Sequence, residues 1–185
     1  FFGLILSSNA QVFISEIHYD NAGGDVGEGV EISGPSGTDL SNFQIVRYNG
    51  SNGTNYGTTN LAGVIPDEGN GYGAIFFPIA GLQNGAPDGV VLADNGVVLE
   101  FLSYEGGFIA TNGIALGLTS TDIGVIEFGS TAIGESLQLT DAGWVGPVLS
   151  SYDLINPGLT LGAVALEISI SVDAETLCND SDEGS

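Results

Sequence analysis

Hydrophobic and polar residues alternate in short runs along this chain, and clusters of Gly, Asn, Asp, Ser and Pro separate the runs. Val12, Ile14 and Glu16 alternate with Phe13, Ser15 and Ile17, and a second apolar run covers Val30 to Ile32. A strand, a turn cluster and a strand within about two dozen residues form a β pattern, since a helix would repeat its apolar positions every third or fourth residue. Leu40 to Tyr48 reads as the next strand, with Phe43, Ile45 and Arg47 on one face and Val46 and Tyr48 on the other. Asn49 to Gly53 is a turn, and short strands follow over 61–65 and, more apolar and expected to be buried, over 72–79, where Pro78 marks an end. The runs 90–93 and 97–106 flank Asp94-Asn95-Gly96, the clearest hairpin signature in the sequence. Ser136 to Leu139 predicts one more strand before Trp144, and Leu166 to Val172 another. Strands spaced by roughly ten residues with turns between them predict an all-β sandwich.

Composition fits that expectation. The chain has 185 residues, 43% of them hydrophobic, and 30 are glycine. This suits one domain with a real core and many turns, with no long helical stretch. Charge narrows the range of partners. Twenty-three acidic residues face one basic residue, Arg47, for a net charge of -22. With no cationic patch to displace phosphate counterions, direct nucleic-acid binding is disfavoured, as is docking on anionic membranes. Such acidity favours solubility and attracts cations. The single cysteine, Cys178, excludes an intrachain disulfide. The stretch FFGLILSSNAQ reads as the tail of a signal peptide, with Ser8 and Ala10 at the small positions before a cut that would leave Gln11 first. An ordinary apolar first strand is the alternative. Export is the expectation, and the lack of Met suggests a fragment or processed product. No apolar run is long enough for a membrane span.

The stretch I-x-E-I-H-Y-D-N-x-G-G-D-x-G-E-x-V-E-I, from Ile14 to Ile32, resembles the opening of the lamin-tail domain of secreted bacterial proteins. NGAPDG at 84–89, VVLEFLSYEGGFIATNG at 97–113, LTSTDIGV at 118–125, ESLQLT at 135–140 and NPG at 156–158 extend the resemblance to about residues 12–160. It implies an immunoglobulin-like β-sandwich of the lamin-tail type, here over 11–165, between the 1–10 signal remnant and a 166–185 linker or further extracellular domain. Family members resemble accessory domains of secreted or surface proteins, often beside nucleases or phosphatases. The resemblance therefore implies a non-catalytic interaction or spacer module of an exported multidomain protein. The alternative is an N-terminal accessory domain of a secreted nuclease or phosphatase whose chemistry resides in other sequence. Expected partners are other domains of the same polypeptide or an extracellular protein or glycan. The terminal pattern C-N-x-S-D-E-G-S at 178–185 also resembles repeats of gliding-motility adhesins; a disordered acidic tail is the alternative.

Candidate chemistry concentrates between the first two strands. The only histidine, His18, ends the first strand, so no site can draw on two imidazoles. No nucleophile elbow, zinc helix motif or phosphate loop is present, and an enzyme is not expected. A structural bond from His18 to the following loop is the expected use. Asp20, Asn21, Asp25 and Glu28 form an oxygen-rich loop with glycines that let it curl, the kind of set calcium takes. Asp88 or Asp122 would complete that set if the loops meet. The competing reading gives these residues to turn hydrogen bonds. Arg47 is expected to pair with Glu16 or Glu31. Tyr48, Tyr56, Tyr72, Phe108 and Trp144 offer either core packing or a glycan platform.

Overall fold

The computed structural model describes residues 11–162. The signal-remnant reading of residues 1–10, the strand at 166–172, Cys178 and the adhesin-like end lie outside the described residues. Ten strands build two five-stranded sheets, ordered β10-β9-β1-β2-β5 and β4-β3-β6-β7-β8. The strands run β1 Phe13–His18, β2 Gly29–Pro35, β3 Phe43–Asn49, β4 Thr54–Asn60 and β5 Tyr72–Pro78; then β6 Asp88–Asp94, β7 Val97–Tyr104, β8 Thr121–Asp122, β9 Glu135–Thr140 and β10 Gly143–Leu149. All pairings are antiparallel except β7 with β8. The expected all-β, immunoglobulin-like sandwich is the observed architecture. No described helix is long and apolar enough to cross a membrane.

The alternation in the sequence explains the layers. Ile14 and Ile17 of β1, Val30 and Ile32 of β2, Ile45 of β3 and Val90 and Leu92 of β6 are fully buried between the sheets. Trp144 packs against this same core from β10. The opposite face of β3 and β6 is also dry, because Val46, Tyr48 and Val91 meet Phe101, Phe108, Ala110 and Ala115 in a second cluster. The segment after β7 thus roofs the outside of the second sheet. The clearest hairpin is present, with Asn95 and Gly96 both at positive φ, as its tight turn requires.

Three expectations change. Thr54–Asn60 is a strand although its sequence, TNYGTTN, has almost no apolar alternation. It pairs with β3 along an edge and buries little, so period and hydrophobicity carry no signal. The run 61–65 contributes only an isolated bridge, Asp39 to Val64. Arg47 reaches neither Glu16 nor Glu31: its guanidinium lies 5.3 Å over the Tyr56 ring and donates to the Ala80 carbonyl at 3.0 Å. Arg47 belongs to the sheet that does not contain those glutamates, and this separates the pair.

Candidate functional site

The ends of β1, β3, β5 and β7 and the starts of β2, β4, β6 and β9 lie at one end of the sandwich, by the antiparallel register. Their loops carry most of the acidic and amide side chains singled out from the sequence.

His18 is the hub of this end. It is 1% exposed, and its Nδ1 lies 2.8 Å from Glu127 Oε1. The second carboxylate oxygen of Glu127 accepts the backbone N–H groups of Tyr19 and Asp20 at 2.7 and 2.9 Å. Asn21 Nδ2 donates to both His18 Nε2 and the Val26 carbonyl, each at 2.8 Å. His18 Nε2 also lies 3.1 Å from the Val26 carbonyl, so both ring nitrogens are engaged within the hub. Burial lowers the affinity of the ring for a proton, but the hydrogen bond and charge of Glu127 outweigh it, and the pKa is raised. Tyr19 stacks on Tyr104 with ring centroids 3.8 Å apart and donates to Glu105 at 2.9 Å. Burial drives its phenol pKa far up, so it remains a neutral donor. His18 therefore serves as a structural hub, the use expected from its place at the strand end.

The four proposed calcium ligands are not gathered at one point. Among the described residues, no three His, Cys, Asp or Glu side chains converge as a metal-binding group. Asp20 and Asp25 do come together. Burial first, and then the Asp25 charge, raise the Asp20 pKa, while the nearby Asn84 amide lowers it. Asn21 turns its amide nitrogen to the hub, which leaves its buried Oδ1 without a partner. Glu28 accepts the Gly81 N–H at 2.8 Å through Oε2, and its Oε1 is also buried and unpartnered. Asp88 holds turns: it accepts Gly50 N–H at 3.1 Å and Gly85 N–H at 3.0 Å. Burial lifts its pKa to about 6. Asp122 is exposed and caps the N–H of Gly124 at 3.1 Å.

Beside the carboxylates, Asn49, Ser51, Gln83, Asn84 and Asp88 line an open polar cavity of about 320 Å³. The Gln83 Oε1 is a third buried oxygen with no donor. Asn84 connects this cavity to Asp20. Of the five aromatics, Tyr48 and Phe108 are buried in the second cluster, where the Tyr48 hydroxyl donates to the Asn112 carbonyl and accepts the Ala115 N–H, and Tyr56 and Tyr72 are partly exposed.

Two participants carried no local sign in the sequence. Glu127 meets His18 across 109 residues, and Asn84 meets Asp20 from a different loop. The only hint of Glu127 was its place in an otherwise apolar stretch. No family model, curated protein or solved structure matches the chain.

Proposed function

We propose that this chain is a non-catalytic interaction or spacer module of an exported multidomain polypeptide, of the lamin-tail kind, whose loop end takes a calcium ion. The observation that carries the non-catalytic reading is the state of His18. The single imidazole, the natural general base, is buried and has both nitrogens engaged by Glu127, Asn21 and Val26. The order of the sequence motifs along β1, β2, β6, β7 and β9 supports the lamin-tail reading, and the acidity supports a cation as ligand.

The test uses the whole chain. Incubated with phosphomonoester, phosphodiester and DNA substrates in calcium or magnesium, it is expected to give no turnover above buffer. Turnover that disappears in His18→Gln sinks the non-catalytic reading.

Calcium is supported by the surplus of oxygens. Two neighbouring carboxylates, Asp20 and Asp25, sit in a loop where two buried acceptors, Asn21 Oδ1 and Glu28 Oε1, lack donors, and Gln83 Oε1 of the β5–β6 loop is a third. A buried acceptor without a partner costs about 1–3 kcal/mol, and a hard cation supplies what is missing. At a hundredfold excess over its dissociation constant, calcium is expected to add about 2.7 kcal/mol of stability. Thermal unfolding at fixed ionic strength, with calcium or with chelator, reads the effect. Asp25→Ala is expected to abolish it. Equal unfolding temperatures in both media reject the calcium reading and leave the module reading intact.

A further inference from the structure

The outer face of the β10-β9-β1-β2-β5 sheet is polar yet dry. A β-bulge between Ile14 and Glu16 turns Ser15 and Glu16 onto that face, where Glu16 stands across from Glu31. Glu16, Glu31, Ser15, Ser33 and Ser136 are all 0% exposed. Residues 150–156 run over them as a strap. Ser151 donates its N–H and hydroxyl to the two oxygens of Glu16, at 3.2 and 3.0 Å. Asp153 N–H donates to Glu31 Oε2 at 2.8 Å, and the other Glu31 oxygen accepts the Ser15 hydroxyl at 2.9 Å. The Tyr152 ring stacks on Phe76 at 3.7 Å, and its buried hydroxyl finds no partner. Asn156 closes the strap on the carbonyls of Ser15 and Leu139, at 2.7 and 3.0 Å.

We propose that this strap is a proton-controlled latch, closed while the Glu16–Glu31 pair holds a proton and released when both carboxyls ionise. The groups around the pair make the case. Asp153 lies on the strap itself, Glu68 accepts Ile155 N–H at 2.7 Å, and Glu127 stands toward the loop end. The one basic group of β1, His18, is bound to Glu127, and Tyr152 is a neutral phenol held far above its usual pKa by burial. No cation is in contact with the pair among the described residues. Like charges on adjacent strands in a covered site are costly, so one carboxyl keeps its proton. Strap donors favour the charged form, but burial dominates, with the Glu16 charge adding to it, and Glu31 is pushed up to about 8. Since the strap is the cover, lifting it returns water to both carboxyls and their pKa values fall. Ionisation therefore favours the open strap.

The latch is independent of the module reading. Hydrogen exchange of the whole chain, corrected for intrinsic rates, tests it between about pH 5.5 and 9. Opening of the strap amides 151–155 is expected to rise by up to about tenfold per pH unit and to level off above about 8. Core amides of β6 stay protected, and Glu31→Gln flattens the profile. Glu16→Gln is the second variant, should the first not fold. Strap protection that does not vary with pH in the wild type, or a strap that opens together with β6, overturns the latch.

Discussion

Acidifying this protein from about pH 8.5 to about pH 5 is expected to raise its unfolding temperature by on the order of 10 °C, opposite to what ionised, salt-bridged carboxylates would give. The reason is the direction of its displaced groups. Glu31 is held up to about 8, Glu100 to about 7 and Asp88 to about 6, and Glu16 and Asp20 are also raised; burial is the first cause in each. An unfolded chain ionises these groups near their ordinary values while the native protein keeps the protons. Between about pH 4.5 and 8 the native state thus binds more protons, and stability falls as pH rises. For Glu31 alone the window is worth on the order of 4 kcal/mol. His18 acts in the same sense: its raised pKa contributes stability that is complete below the ordinary histidine value and lost as the pH passes the native one. Asp141 opposes, since the Thr160 amide lowers its pKa, and its contribution disappears only in stronger acid. Differential scanning calorimetry in buffers of matched ionic strength checks the trend. An unfolding temperature that climbs from pH 5 to pH 8 refutes it.

The second large effect is expected at Glu127. Its carboxylate is 0% exposed and accepts from the His18 ring and from the backbone of Tyr19 and Asp20. Its own N–H donates to the Tyr19 hydroxyl at 2.8 Å. Glu127→Ala strands three buried donors at once and is expected to cost about 3–5 kcal/mol. Glu127→Gln keeps one carbonyl oxygen but turns an NH2 group toward donors, so it should fall between the wild type and Ala. Urea denaturation gives the values, with Glu135→Ala, on a partly exposed side chain, as the comparison. A Glu127→Ala penalty below about 1 kcal/mol would mean that water replaces the carboxylate and that the hub is not what anchors the loop.

These two effects locate the boundary of what the sequence reveals. Strands whose apolar residues alternate against a core, such as β1, β2 and β6, are legible because their period is set by burial on one side. The Asp-Asn-Gly turn is legible because only residues tolerant of positive φ occupy it. β4 is polar and sits at an edge, and β10 is broken by Gly146 and Pro147, so neither shows a period. In the candidate site, the acidic loop is visible as a cluster. Its actual partition is not, because His18, Glu28 and Asp20 find partners in other loops. Glu16 and Glu31 look like solvent-facing positions of alternating strands. Only the return of residues 150–156 over that face makes them interior.

The position of β1 in its sheet bears on how the chain folds as it emerges from synthesis. β1 is flanked by β2, its neighbour in sequence, and by β9, which begins at Glu135. The Ser15 carbonyl waits for Asn156, 141 residues further on. Until the last third of the domain has been made, β1 presents a bare hydrogen-bonding edge and two uncovered glutamates. Pairings of such separation form slowly, and an open edge invites association with other chains. The carboxylates that must later be covered would then be wet and charged, and would repel a second copy. The groups that destabilise the finished fold at alkaline pH thus protect the unfinished chain.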